Sequence, residues 1–401
     1  MIRAAKGAAL LALVLLVPAT VLAQGPLSPI GGATAGPLYQ MWSFGSGLYQ
    51  PNRFASDSVQ LKSASQWSVP ISGSLALSDM WTIDASITQA WGTVKLRAAD
   101  PVLRTDHYSL SGLTDLHVRL TGQLIPDRIV FTLGLNPPTG KIGLDDPELE
   151  ALRVIAAPAL GFRTPSLGSG IGASAGLVAA QEYRGWSFAF GTSYEVRGTY
   201  SPVTAFTAGA LAPDFDPGDA VHLSLGSSGA VGQSRTTLTL AADFFRNDRL
   251  TYGGSDRRTA SVQLGPVYSA EWQYLVGTTS LRELRFFVAD RYRMRYKVGG
   301  ARVGGTSGNY LDGGVRIVAG LAPSTGLSVD VDGRYQTGLS VDRAFTTAGV
   351  AGGGVGVGLI HEISAYTLQP FVRAQYARFD MKGAQVTGTG FSAGLSLGTR
   401  F

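Results

Sequence analysis

From Gly390 to its last residue the chain alternates between two kinds of side chain. Phe391, Ala393, Leu395, Leu397 and Phe401 fall on one face, and Ser392, Gly394, Ser396, Gly398 and Arg400 on the other. Side chains along a strand alternate with period two, so one face is apolar and the other small and polar. In a water-soluble sandwich the apolar face would form a core. Here the same alternation recurs along nearly the whole chain. So many one-sided strands predict a single antiparallel transmembrane β-barrel, apolar face in lipid and polar face around a lumen.

The first residues agree. Arg3 and Lys6 form a positive region, Ala8 to Val17 an apolar stretch, and Val21-Leu22-Ala23 a small-residue cleavage site. These are the parts of a cleaved signal peptide over 1–23, and the apolar stretch is too short to cross a bilayer as a helix. Cleavage would leave Gln24 first. With no cysteine in the chain, neither a lipid-anchored N-terminus nor a disulfide framework is expected. No later stretch offers about 18 uninterrupted apolar residues, so helical spans are not expected either. Charged residues make up 15% of the chain, against about 25% for ordinary soluble domains. The formal charge of +5 falls to +3 without Arg3 and Lys6. That excess is too small and too dispersed for nucleic acid to be a partner.

Sixteen strands are predicted, near 39–50, 58–78, 79–96, 107–124, 128–136, 167–183, 185–200, 219–231, 234–251, 257–275, 279–297, 308–322, 325–340, 349–364, 366–381 and 387–401. Residues 24–38 are read as a periplasmic tail and 39–401 as one barrel. Connections after even strands are short, and those after odd strands are mostly longer: 97–106, 137–166, 201–218, 298–307 and 341–348. Tight periplasmic turns with longer external loops have this parity. Fourteen strands is the alternative, because 39–50 could belong to a plug and the Gly- and Val-rich 349–364 specifies its register weakly.

The faces can be assigned strand by strand. In 257–275, Ala260, Val262, Leu264, Tyr268, Trp272 and Tyr274 face lipid, while Ser261, Gln263, Gly265, Ser269, Glu271 and Gln273 face the lumen. In 185–200, Trp186, Phe188, Phe190, Tyr194 and Val196 oppose Ser187, Gly191, Ser193, Glu195 and Arg197. In 325–340, Leu327, Val329, Val331, Tyr335 and Leu339 oppose Ser328, Asp330, Asp332, Arg334 and Gln336. Aromatic residues near strand ends supply interfacial girdles. Trp81, Tyr183, Trp186, Trp272, Tyr274, Tyr366 and Phe401 are assigned to the periplasmic one. Tyr49, Tyr108, Tyr200, Tyr252, Tyr296 and Tyr310 are assigned to the outer one.

The inner face also carries Asp84, Arg119, Glu182, Asp243, Glu271, Asp312, Arg316, Arg373 and Arg400. A dry core would cost several kcal/mol per unpaired ion, so a water-filled lumen is expected. Arg285, Arg291, Arg293 and Arg295 form a ladder on one strand, its last three near the external mouth. They read as an anion-attracting vestibule, or alternatively as partners of nearby acids or of lipopolysaccharide phosphates. With Arg316, Arg334, Asp330, Asp332, Glu195 and Arg197 they are the candidate lumen residues.

The connection 137–166 contains a turn, Pro137-Pro138-Thr139-Gly140, and then Asp145-Asp146-Pro147-Glu148, a helix start with Pro at the first position and acids in the first turn. Leu149, Leu152, Val154, Ile155 and Ala156 make that helix apolar, so it needs cover from the lumen wall, the rim or a hydrophobic ligand. Lys141, Asp145, Asp146, Arg153 and Arg163 are its candidate constriction residues. Catalytic, cofactor and metal sites are not expected. The four histidines, His107, His117, His222 and His361, lack metal-ligand spacing with one another or with an acid on the same face. Gly352-Gly353-Gly354 lacks the Lys-Ser or Lys-Thr of a phosphate loop.

A last strand closing on Phe401 resembles that of Gram-negative outer-membrane barrels, where the final aromatic marks the chain for assembly. A long connection after the fifth strand is similar to the inward-folded constriction loop of general porins. The segment Leu133-Gly134-Leu135-Asn136-Pro137-Pro138-Thr139-Gly140-Lys141 resembles barrels related to the long-chain fatty-acid and aromatic-compound outer-membrane transporters. The resemblance implies the cell outer membrane, with lipid, lipopolysaccharide, the barrel assembly machinery and a small-molecule solute as partners. The expected function is passive diffusion of small hydrophilic solutes. Transport of hydrophobic compounds, or a structural or adhesive barrel, are the alternatives.

Overall fold

The computed structural model describes residues 32–51, 58–98, 105–202, 214–252, 258–338, 347–381 and 384–400. The signal-peptide segment 1–23 and Phe401 lie outside the described residues. Sixteen antiparallel strands close into a barrel. They are β1 (Gly32–Ala35 continued by Leu38–Pro51), β2 (Ser58–Ser78), β3 (Trp81–Ala98), β4 (Thr105–Leu113 continued by His117–Ile125) and β5 (Ile129–Asn136). Then come β6 (Gly172–Tyr183), β7 (Trp186–Arg197), β8 (Ala220–Val231), β9 (Ser234–Phe245), β10 (Val267–Leu275) and β11 (Glu283–Arg293). The circuit ends with β12 (Gly308–Ala322), β13 (Thr325–Thr337), β14 (Thr347–Ile363), β15 (Tyr366–Met381) and β16 (Ala384–Arg400). Both pieces of β1 pair with β2 on one side and β16 on the other, from Gly32↔Arg400 to Phe44↔Gly388. That pairing closes the sheet. The first strand therefore begins at Gly32, inside the stretch predicted as a tail, and the strand count is sixteen rather than fourteen.

The turns at one end are short because their residues accept left-handed backbone. Asp127, Arg184 and Ser364 have φ of 58°, 52° and 55°, and Gly185 and Gly232 have φ of 79° and 62°. Two-residue hairpins need this conformation to match strand twist. The exception is 276–282, since β11 starts at Glu283 and not at 279. At the opposite end the predicted strands 234–251, 257–275 and 279–297 do not run through. They break at Arg246, at Leu264-Gly265-Pro266 and at Met294–Tyr296. Pro266 has no amide to give the ladder. A Cβ on Gly265 would lie 2.1 Å from the Met294 carbonyl.

Beyond the breaks, Asn247–Tyr252, Arg258–Gln263, Lys297–Val298, Ala301–Arg302 and Asp214–Asp216 form a second, five-stranded sheet capping the mouth. Its small core contains Tyr200, Phe215, Leu250, Val262 and Tyr296, all under 9% exposed. Val262, predicted to face lipid, is thus buried in the cap, and Leu264 lines the lumen.

The barrel's outer surface is apolar, with Ile71, Leu177, Phe190, Leu240, Val288 and Val355 among its exposed side chains. Tyr183 and Tyr366 stand exposed at the short-turn end and Trp272 on the same outer face, as predicted. The predicted outer girdle is largely wrong. Tyr200 and Tyr296 are buried in the cap, Tyr310 lines the lumen, and Tyr108 packs inward beside the internal core. Tyr49 and Tyr252 have side chains outside the described set. The outward aromatics near that end are Tyr194, Phe244, Tyr268, Tyr292, Tyr335 and Tyr376. Tyr200 and Tyr296 lie beyond the ends of β7 and β11, where the alternation stops, whereas Tyr310 shares the inward parity of Asp312 and Arg316 and Tyr108 that of Leu110.

Asp248 is 1% exposed in the cap, and its Oδ1 accepts a 2.7 Å hydrogen bond from the Gly218 amide. Burial outweighs that bond and pushes its carboxyl up to about 6. A carboxyl raised above its unfolded value stabilises the fold fully below about pH 4, and that contribution is lost as pH rises through about 6. Amide exchange over 247–250, corrected for intrinsic rate, should therefore be slower at pH 4.5 than at pH 7.5. Asp248→Asn should abolish the difference, and a pH-independent wild type would refute this account.

The lumen and its inward loop

The segment between β5 and β6 folds into the barrel. Its helix α1 (Asp146–Ile155) is set by its first residues. Asp145 is the N-cap and accepts from the Glu148 amide at 2.9 Å, and Glu148 reaches back to the Asp145 amide at 3.4 Å. This is a capping box with Pro147 in the first turn, as the sequence predicts. The apolar side of α1 lies on the inner wall of β2, β3 and β4, whose inward residues there include Leu61, Ala64, Ala90, Val94, Leu96 and Leu110. A Cβ on Gly92 would fall 2.0 Å from Ile155 Cδ1, so the Ile155 side chain occupies the space that glycine leaves at that point of the wall. Of the three covers open to an apolar helix, the chain uses the lumen wall.

Polar groups fix the loop where apolar packing leaves off. Trp42 Nε1 donates to the Leu160 carbonyl at 2.7 Å. The Gln66 amide donates to the Thr164 carbonyl at 2.6 Å and accepts from its N–H at 2.9 Å. Gln40 accepts from the Arg163 amide at 2.7 Å. Asp115, 2% exposed at the interruption of β4, accepts from the Gly140 and Ser169 amides at 2.9 and 2.6 Å and from the Ser169 hydroxyl at 3.0 Å. It clasps both ends of the loop.

The loop leaves the opposite half of the lumen open, as a cavity of about 940 Å³. Arg291, Arg293, Arg316, Arg334, Asp330, Asp332, Glu195 and Arg197 all line it, together with His222, Asp243, Tyr310, Asp312 and Arg373. Arg373 pairs with Asp332. Arg316 stands 3.8 Å from both Asp330 and Glu283, and Arg197 donates to the Gly218 carbonyl. Arg334 lies 5.2 Å over the Trp42 ring, joining the charged wall to the loop side.

The predicted arginine ladder shortens. Arg285 is bonded to Glu283 at 3.0 Å, and Arg295 is exposed in the connection after β11. Arg291 and Arg293 remain on one face with no ion-pair partner among the described residues. Among the loop candidates only Arg163 lines the cavity. Lys141 pairs with Glu148, Arg153 with Glu150 at 2.7 Å, and Asp145 and Asp146 build the helix start.

His222 departs from expectation. Its Nδ1 is 2.8 Å from Asp243 and its Nε2 3.4 Å from Glu195, on the strands to either side. Spacing along one strand does not reveal such a group, because directly paired residues such as His222 and Asp243 are 21 positions apart. Trp42, Gln40, Gln66 and Asp115 were also missed. The inward residues Leu38, Trp42 and Phe44, apolar where a wet lumen should be polar, were the available signal.

No protein-family model and no curated protein matches the chain. Solved structures with similar folds include OprB of Pseudomonas putida, with 10% identity over 92% of this chain and 94% of that one and a TM-score of 0.48. An outer-membrane channel of Pseudomonas putida F1 has 12% identity over 94% and 98%, with a TM-score of 0.38. OmpT, an outer membrane protein of Vibrio cholerae, has 10% identity over 94% and 100%, with a TM-score of 0.39.

Asp115→Ala removes three hydrogen bonds to a buried carboxylate, a loss of about 3 kcal/mol or more from loop docking. Limited trypsinolysis after Lys141, Arg153 and Arg163 should accelerate at least tenfold while the barrel keeps its unboiled gel mobility. Unchanged cleavage would show that apolar packing alone holds the loop. The chain is a closed sixteen-stranded β-barrel with an apolar outer surface, sealed by its first and last strands and narrowed from within by its own loop.

Proposed function

We propose that this barrel is a passive channel for small hydrophilic solutes. The observation that carries the reading is the charged cavity left beside the inward loop. Seven arginines line it (Arg163, Arg197, Arg291, Arg293, Arg316, Arg334 and Arg373) against five acids (Glu195, Asp243, Asp312, Asp330 and Asp332), an excess of two positive charges before His222 is counted. So many ions need water, and low-dielectric walls focus their field on counter-ions. Transport of hydrophobic compounds drew its support from the apolar helix. That support falls away once Leu152, Val154 and Ile155 are spent on the barrel wall. On the channel reading residues 1–23 are a cleaved signal, Phe401 is the assembly mark, and lipid, lipopolysaccharide and the barrel assembly machinery are partners.

Purified protein in planar bilayers should conduct KCl, and silence at every voltage would overturn the proposal. In a salt gradient the pore should prefer anions mildly. That preference should fade above about 0.5 M salt, where screening acts within a few ångströms. Arg291→Ser with Arg293→Ser should move the reversal potential toward the cation side. An unmoved potential would place these two side chains off the conduction path.

A further inference from the structure

Lys95 and Arg97 stand on the outer side of β3, away from the lumen. Toward its end this strand alternates strictly, with Gly92, Val94 and Leu96 buried on the inside and Trp91, Thr93, Lys95 and Arg97 exposed on the outside. Trp91 is paired across the sheet with outward Trp67, and Trp81 starts the same outward row at the short-turn end. Trp91 lies ten residues after Trp81, a rise of about 33 Å along the strand and about 25 Å along the barrel axis at a tilt of about 40°. That is the height of the apolar band between two aromatic girdles. Lys95 and Arg97 therefore lie just beyond the outer girdle, where long cationic side chains reach the headgroup region.

Two further groups join them. A bulge in β2, where the register passes from Leu61↔Leu96 to Ser63↔Lys95, sets Lys62 beside Ser63 opposite Lys95. On the other side His107 of β4 is directly across from Lys95 and exposed. Lys62, Lys95 and Arg97 have no acid in ion-pair reach among the described residues. Arg246 and Arg378, beyond outward Tyr194 and Tyr376 at the same end, are by contrast held by Asp219 and Asp380, each at 3.2 Å. Three uncompensated cations spread over two strands suit more than one phosphate better than a single small anion. We infer that the outer face of β2–β4 is a binding site for a lipid headgroup bearing more than one phosphate, the chemistry of lipopolysaccharide. The phosphates would lie on Lys62, Lys95 and Arg97, and the acyl chains below them along Trp67, Trp91 and Ile71. The inference rests on the outer-membrane placing that the channel reading carries, and not on conduction.

Native mass spectrometry of the full folded chain in detergent, with diphosphorylated lipid A as the probe, tests the site. Lipid A should bind at least tenfold more tightly than its dephosphorylated form. Lys62→Gln with Lys95→Gln and Arg97→Gln, checked for folding by unboiled gel mobility, should weaken lipid A at least tenfold. Arg246→Gln with Arg378→Gln, which removes the two acid-paired cations, should leave binding unchanged, and inorganic phosphate at millimolar concentration should not displace the lipid. Equal binding of the two lipid forms, undiminished binding in the triple variant, an equal loss in the Arg246 and Arg378 variant, or displacement by inorganic phosphate would each overturn the site. KCl conductance of the wild type is read separately. A protein that binds lipid A as expected but never conducts keeps the site and loses the passage, whereas one that conducts but binds both lipid forms alike keeps the passage and loses the site.

Discussion

Every backbone amide facing lipid must find its acceptor within the chain, and for a sheet this is possible only when its two edges meet. Here the meeting is between β1 and β16, joined from Gly32↔Arg400 to Phe44↔Gly388. The rest of the structure depends on that seam. It fixes which side chains of β1 point inward, and so brings Gln40, Trp42 and Phe44 to the lumen. These are the residues on which the inward loop settles. The brief gap at Gly36-Pro37 is tolerated because the ladder resumes at once, with the Gly36 amide donating to the Pro70 carbonyl and the Leu395 amide to the Pro37 carbonyl.

The lumen wall is accordingly of two kinds. From β1 to β4 it is apolar and carries the loop, each fully covered Leu, Ile or Phe gaining about 1.5–3 kcal/mol over exposure. From β7 to β15 it is charged and left to water. The core of this protein lies within the barrel, between wall and loop, while the outer surface meets lipid. A soluble protein read by the same burial pattern would look inside out. The two halves also differ in how they hold polar groups. Loop anchors pair with backbone amides and carbonyls, as Trp42, Gln66 and Asp115 do, whereas the open wall also pairs side chain with side chain, as Arg373 does with Asp332.

Sequence periodicity revealed the barrel because lipid imposes a period-two pattern on each strand and short turns leave no room for another path. All sixteen strands were placed, and α1 was legible from Asp145 to Glu148 because a capping box is a local signal. Errors cluster where the period is broken by something non-local. Gly265-Pro266 diverted β10 into the cap and buried Val262. The break after Arg293 took Arg295 out of the lumen. His222 with Asp243 and Glu195 was invisible because cross-strand register depends on turn lengths summed along the chain. The apolar inward stripe at Trp42 and Phe44 was present in the sequence, yet only the loop's position gives it meaning.

This separation of duties has a consequence for how the lumen can change. The loop is held on one wall by apolar contact and backbone hydrogen bonds, and these are indifferent to the charges opposite. Substitutions at Arg291, Arg293 or Arg316 alter the field in the cavity without touching an anchor of the loop. Arg334 is the exception. Its guanidinium lies over Trp42, while Trp42 itself holds the Leu160 carbonyl, and a Cβ on Gly161 would come within 2.9 Å of Arg334 Nη1. Charge at that position is coupled to where the loop sits. Selectivity can therefore vary over most of the polar wall independently of constriction, but at Arg334 the two are bound together.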